Sequence, residues 1–240
     1  MIGGFAMSKG IKIMILLFSF LLVLYFTAEP IAESVGTLER FNPPLAGKVI
    51  VLDPGHGGVD GGAVGADQTS EKEITLILSR KLRAYLQQAG AEVYLTRETD
   101  DDLADESTRK ISERKVEDIK RRVAFIEEKD PDLFLTIHLN ALPTSQWRGA
   151  QVFYHPNQPE SKMLAEAIQA EIKSHLANTT REALAINNVY LLKHINRPAA
   201  LVEAGFLSNP EERELLKQAP YQEKVAASIY YGILRFYNEK

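Results

Sequence analysis

The chain of 240 residues contains no cysteine. That absence excludes disulfide staples, thiolate zinc sites, cysteine nucleophiles and a lipidated N-terminal cysteine, and leaves any metal to His, Asp or Glu. A basic excess is missing too. Against 28 Lys and Arg stand 32 Asp and Glu, giving a net charge of −4 and a pI near 5.8, so no nucleic-acid partner is expected. No glycine loop closes in the Gly-Lys-Ser/Thr that a Walker phosphate loop needs, and no Gly-x-Ser-x-Gly nucleophile elbow occurs. What is present is an ordinary globular balance, 45% hydrophobic and 25% charged, enough for one sizeable core.

Residues 13–28, IMILLFSFLLVLYFTA, form an unbroken apolar run behind Lys9 and Lys12. As a helix it spans about 24 Å, a little short of a hydrocarbon core of about 30 Å, and Ile11 with a snorkelling Lys12 narrows the gap. Residues 1–28 therefore read as a signal anchor or a signal peptide; Ala32-Glu33-Ser34 is a poor cleavage site. With the lysines on its N-terminal side, the positive-inside rule puts the remainder outside the cytoplasm, on the extracytoplasmic side of a membrane. The protein is expected to be exported. The polar stretch 29–47, with adjacent Pro43 and Pro44, reads as a linker, and 48–240 as one domain.

Short apolar runs at Val49–Leu52, Ala91–Thr96, Leu133–Ile137, Ala150–Tyr154, Val189–Leu192 and Ala199–Val202 read as strands. Between several of them lie helical patterns. In 71–90, Ile74, Ile77, Leu78, Leu82, Tyr85, Leu86 and Ala89 recur at helical spacing and Gly90 is placed to cap the end. Lys162–His175 and Tyr221–Tyr237 read as helices as well. The alternation predicts an α/β domain with a mostly parallel, mixed sheet of about six strands flanked by helices. The charge-dense 98–122 reads as a solvated loop and then a solvated helix.

Three strand runs end in polar residues: the first in 55-GHGG-58 with His56, the third in His138 and Asn140, the last in Glu203. In open α/β sheets the site lies at the carboxyl ends of strands. Taken singly, each has a plain structural explanation, a hydrogen-bonded core histidine or a loop acid. Three at equivalent ends are harder to dismiss. Ser70 and Glu73 fit a capping box, which leaves Glu71 at the first helical position without a local partner, as a ligand or as an acid complementing the helix dipole. Asn209, Pro210 and Glu212 follow the same start logic, so those acids read as structural. Of the other histidines, His175 reads as a surface residue, while His155 and His194 adjoin strands and are candidates for lining the cleft. The loop 55–65 fits neither a phosphate cradle nor a lipase-type oxyanion loop. It reads as a loop of small side chains that presents His56 beside open space, and two histidines with one carboxylate form a catalytic zinc set.

The stretches VLDPGHGG (51–58), EKEITL (71–76), TRETD (96–100), IHLNA (137–141) and LVEAGFLSNPEE (201–212) occur here in the order of a known family. The chain resembles the zinc-dependent N-acetylmuramoyl-L-alanine amidases over Lys48 to Tyr237, with the finest match to members acting in germination of spore-forming bacteria. The resemblance implies one zinc ion held by His56, Glu71 and His138, with Glu203 as the catalytic glutamate. It implies peptidoglycan as partner, cleavage between the lactyl group of N-acetylmuramic acid and L-alanine, and work in the spore cortex preceding muramic lactam. It also implies a mixed sheet flanked by helices. One departure stands out: where the family carries Asn-Arg-Gly, this chain reads TTREALAINN (179–188), with Glu182 in place of the glycine. A zinc peptidase cutting within the stem peptide and a catalytically silent wall-binding module are the rival readings.

Overall fold

The computed structural model describes residues 8–39 and 42–240. Residues 1–7 of the expected N-terminal segment and 40–41 of the expected linker lie outside them. The chain divides into two units, 1–43 and 44–240.

The first unit is a helix, α1 (Lys9–Glu39). Its window Lys9–Phe26 has a mean hydropathy of 2.0 and none of it is buried, so this helix is long and apolar enough to cross a membrane. The helix runs on through 29–39, where the sequence suggested a linker. The other end of that linker also differs. Leu45 is fully buried and its N–H donates to the Ala89 carbonyl at 2.9 Å, so the folded unit starts before Lys48.

In the second unit six strands form one sheet: β1 (Val49–Pro54), β2 (Glu92–Leu95), β3 (Leu133–Asn140), β4 (Gln151–Tyr154), β5 (Leu184–Ala185) and β6 (Ala199–Phe206). Their order is β2-β1-β3-β6-β4-β5, and every pair is parallel except β4 with β6. The central strands read as continuous apolar runs because both faces are covered. On one face α2 (Glu71–Gln88), α4 (Pro159–Leu176) and α7 (Ala219–Glu239) pack over Leu52, Leu135, Ile137 and Val202. On the other, α3 (Ile111–Lys129) and α5 (Tyr190–His194) cover Val51, Phe134, Ala199 and Leu201. The short α6 (Pro210–Leu216) follows β6.

Several local expectations change. Tyr190–Leu192 belongs to α5, with Val189 as its N-cap, and not to a strand; a four-residue apolar run is too short to show its period. The two-residue edge strand β5 carried no signal. The α3 helix is not solvated all round, because Asp118, Arg122 and Ile126 are buried. The capping box at Ser70 does not form: the hydroxyl donates to the Gly61 carbonyl at 3.2 Å and Glu73 is exposed. The end of α2 does follow its glycine. Gly90, at φ 93°, donates to the Gln87 carbonyl and Ala91 to that of Leu86, a paired closure that L-residues disfavour at that φ. Asn209 caps α6 as expected, accepting from the Glu212 N–H at 3.0 Å.

Candidate metal centre and active site

Period-two alternation decides which side chains reach the site. On β1, Asp53 follows Val51 onto the α3 face; on β3, His138 follows Phe134 and Thr136; on β6, Glu203 follows Ala199 and Leu201. His138 and Glu203 are therefore inside strands that run on to Asn140 and Phe206, not at strand ends, and are directly paired in the β3–β6 register.

The His56 loop hangs on buried charge. Asp53 is 1% exposed and accepts from Arg122 Nη1 at 2.6 Å, Thr96 Oγ1 at 2.5 Å and Thr136 Oγ1 at 2.7 Å. Burial raises its pKa, but Arg122 and the two hydroxyls outweigh that and hold the carboxyl below its ordinary value. Arg122 goes on to the carbonyls of Pro54 at 2.9 Å and His56 at 2.6 Å, while Arg97 reaches those of Pro54 at 3.0 Å and Gly55 at 3.1 Å. Two arginines thus satisfy the loop carbonyls that the sheet cannot. They also hold His56 at φ 62°, a left-handed conformation uncommon outside glycine.

Glu71 opens α2 yet is 2% exposed. Its Oε2 accepts from the Ala63 N–H at 2.7 Å and its Oε1 from that of Leu139 at 2.9 Å. His138 Nδ1 lies 2.9 Å from Oε1 and His56 Nε2 lies 3.3 Å from Oε2. Burial opposes ionisation of Glu71, but the hydrogen bonds and charges of the two histidines keep its carboxyl well below the ordinary range. Space for this convergence comes from two glycines. A Cβ on Gly55 would stand 2.4 Å from the His138 ring, and one on Gly62, at φ 69°, 2.5 Å from Glu71 Oε2.

Asp60 fixes the other side of His56. Gly57 and Asp60 exchange both backbone hydrogen bonds at 3.0 Å, turning the chain so that His56 Nδ1 donates to Asp60 Oδ2 at 2.9 Å. The second oxygen of Asp60 pairs with Lys115 from α3 at 2.8 Å. Nδ1 is thereby occupied and Nε2 is turned toward Glu71, the arrangement of a histidine whose orientation is set by a carboxylate behind it. Burial lowers the His56 pKa, but Asp60 and Glu71 outweigh it and raise it to about 9.

One donor atom each from His56, Glu71 and His138 lies within 4.8 Å of the others. Ligands of tetrahedral zinc stand about 3.3 Å apart, so a small side-chain shift suffices, and imidazole, imidazole and carboxylate are ligands that ion accepts. Glu203 stands beside the trio. Burial raises its pKa from 4.5 to about 7, with His138 and His56 pulling it down and Glu71 pushing it up. Its Oε2 is buried and has no hydrogen-bond partner among the described residues. A cleft of about 170 Å³ opens at His56 and His138, bounded by Asp60, Lys115, Ile119 and Leu191. A cavity of about 270 Å³ at Ile126, Pro131 and Arg197 sits at the amino ends of β3 and β6, away from this chemistry.

All four residues singled out in the sequence thus come together. The remaining histidines do not join them. His155 is buried and receives the Asn157 N–H at 3.4 Å, His175 stacks on Tyr231 and His194 on Tyr190. Asp53, Asp60, Arg97, Lys115 and Arg122 support the site without having been singled out in the sequence. Only Asp60, four residues past a ligand-type histidine in a tight loop, and Asp53, an acid ending an apolar strand, carried a local signal.

An α/β domain that gathers two imidazoles and two carboxylates over the middle of its sheet has the makings of a metal-dependent hydrolase. Comparison with known proteins narrows this. A family model described as N-acetylmuramoyl-L-alanine amidase matches residues 50–235. The chain is 45% identical to the germination-specific N-acetylmuramoyl-L-alanine amidase of Bacillus subtilis over 98% of both chains. The CwlD amidase of Clostridioides difficile, solved in complex with the GerS lipoprotein, superposes with a TM-score of 0.79 at 41% identity, over 80% of this chain and 100% of that one. The catalytic domain of the CwlV amidase of Bacillus (Paenibacillus) polymyxa var. colistinus superposes with a TM-score of 0.69 at 30% identity, over 80% and 99%. The chain belongs to the N-acetylmuramoyl-L-alanine amidase family and is an amidase of cell-wall peptidoglycan.

Proposed function

We propose that the protein hydrolyses the amide between the lactyl group of N-acetylmuramic acid and L-alanine with one zinc ion, in the peptidoglycan of the spore cortex. His56, Glu71 and His138 would hold the zinc. When bound, it supplies a Lewis acid that acidifies water and polarises a carbonyl. The observation that carries the mechanism is the buried Oε2 of Glu203 next to His138, an oxygen with no hydrogen-bond partner among the described residues. Glu203 accepts the proton of the attacking water and returns it to the nitrogen of the leaving L-alanine as the carbon–nitrogen bond breaks. The products are a lactyl carboxylate on the glycan and a peptide with a free amine. A pKa raised by burial suits a group that must take and give the same proton near neutral pH.

The cortex assignment rests on the identity with the germination-specific amidase of Bacillus subtilis. The lysines before an apolar α1 support anchoring or export with the catalytic unit outside the cytoplasm. The family match speaks against the peptidase, and the presence of Glu203 beside the trio speaks against a silent wall-binding module. Mass spectrometry of digested peptidoglycan tests the reaction. Peptides beginning with a free L-alanine amine are expected, and peptides trimmed internally on intact muramyl–alanine links would favour the peptidase.

A further inference from the structure

The segment that departs from the family pattern, residues 179–188, borders a groove of about 430 Å³ formed by Trp147, Arg148, Arg181 and the 177–180 stretch. Two cations line it and no acid does. It is joined to the catalytic strand by two routes. Gln151 is paired with Glu203 across β4 and β6, and its side-chain amide donates to the Glu182 carbonyl at 3.2 Å, one residue from Arg181. The Arg181 guanidinium also lies 5.3 Å from the ring centroid of Phe206, three residues beyond Glu203.

The groove wall is fixed in place. Arg181 Nη1 donates to the carbonyls of Arg148 at 2.7 Å and Gly149 at 2.6 Å, and the Gly149 N–H is held by the two oxygens of buried Glu212 at 2.9 and 3.0 Å. Above this frame Trp147 is 46% exposed, with Arg181 6.0 Å from its ring centroid. Among the described residues, Nε and Nη2 of Arg181 carry no hydrogen bond, and Arg148 has only an exposed pair with Glu211 at 3.1 Å, an interaction of small worth. An exposed indole between arginines with spare donors suits an acidic peptide, since planar guanidinium forks match carboxylates.

We infer that this groove is the subsite for the acidic stem peptide on the leaving side of the scissile amide, with Arg148 and Arg181 on its carboxylates and Trp147 against its backbone. The inference rests on Glu203 as the group that protonates the leaving amine: the peptide continues from that nitrogen, and the groove is what the sheet offers next, across β4. The main-chain carbonyl of Glu182 ties this segment to Gln151.

Trp147 is the only tryptophan of the chain, so its fluorescence reports the groove directly. The full chain in detergent is titrated with a synthetic tripeptide that begins with L-alanine and carries free carboxylates, with the same peptide amidated, and with an uncharged oligomer of N-acetylglucosamine. The acidic peptide should shift the emission saturably, and amidation or Arg148→Ala should weaken it about tenfold, the scale of a charge-assisted hydrogen bond. In turnover, Arg148→Ala should raise KM about tenfold and leave kcat in place. An emission change with the sugar oligomer and none with the peptide overturns the assignment, as does indifference to amidation or a fall in kcat at unchanged KM. The two readings fail separately: an active Glu203→Gln protein removes the mechanism, whereas a wild-type enzyme that cuts the muramyl–alanine bond while Arg148→Ala changes nothing removes only the subsite.

Discussion

His138 and Glu203 face each other across adjacent parallel strands, a histidine whose Nδ1 touches Glu71 and a glutamate whose buried Oε2 has no hydrogen-bond partner among the described residues. The sheet register alone sets that juxtaposition, so the two glutamates at the site differ in kind. Glu71 is saturated with donors and held ionised; Glu203 is desolvated and left free. Glu203→Gln keeps the volume but cannot take a proton. It should retain zinc and fold and lose at least about 10²-fold in rate. Glu71→Gln should lose zinc. Zinc content and turnover of both proteins check this, and the roles are misassigned if Glu203→Gln loses the metal while Glu71→Gln keeps it.

The buried carboxyl of Glu203 also makes a stability prediction. Its pKa in the folded chain is raised from 4.5 to about 7, so the folded state binds the proton more tightly than the unfolded one. Stability is then lost as pH rises between those values. With chelator present, the melting temperature of Glu203→Gln should match that of the wild type near pH 4 and exceed it above pH 7. A constant difference across that range would show that Glu203 is not desolvated.

Metal content should follow the two histidines. His56→Ala and His138→Ala would each leave two of the three proposed ligands, buried Glu71 among them, and elemental analysis of the purified proteins should find the zinc largely gone. Undiminished zinc in both ends the assignment of the ligands.

The carboxylate behind His56 should matter almost as much. Asp60→Asn keeps an acceptor near Nδ1 but removes the charge, and zinc affinity measured by chelator competition should fall about 10- to 100-fold. Lys115→Met, further out and half-exposed, should cost less. Equal affinity in Asp60→Asn and wild type would mean that the loop backbone alone orients the imidazole.

His56, His138 and Glu203 were legible in the sequence because each sits in a short motif on or beside an apolar strand, and strands are well signalled by hydrophobic runs. The supports were not. Arg122 reaches Asp53 across 69 positions of chain, from a helix whose surface composition reads as solvated, and no local pattern announces such a pair. Glu71 was visible only by elimination, and for a partly wrong reason: the capping box meant to occupy Glu73 never forms. Instead Glu71 is drawn inward by the N–H groups of Ala63 and Leu139. The α5 helix was read as a strand because Leu191 and Leu192 are buried under either geometry.

The Asp53–Arg122 pair gives the largest expected effect on folding. Both side chains are almost completely buried, at 1% and 3% exposure, and Arg122 also carries Asp118 and two loop carbonyls. Arg122→Met fills similar space but leaves Asp53 ionised and unpaired except for two threonine hydroxyls. Removing one partner of such a pair costs about 3–5 kcal/mol, far more than deleting an exposed bridge. Because the folded pKa of Asp53 is lowered, the pair contributes stability above the ordinary carboxyl range, and that contribution fades as pH falls through the folded value. Denaturant unfolding at pH 7 should therefore show the full loss, with a smaller gap between variant and wild type in acid. Since Arg122 also holds the His56 carbonyl, zinc affinity should fall together with stability. Full stability with weakened zinc would make Arg122 a loop-positioning residue only, and loss of neither would remove the pair from the account of how this loop is held.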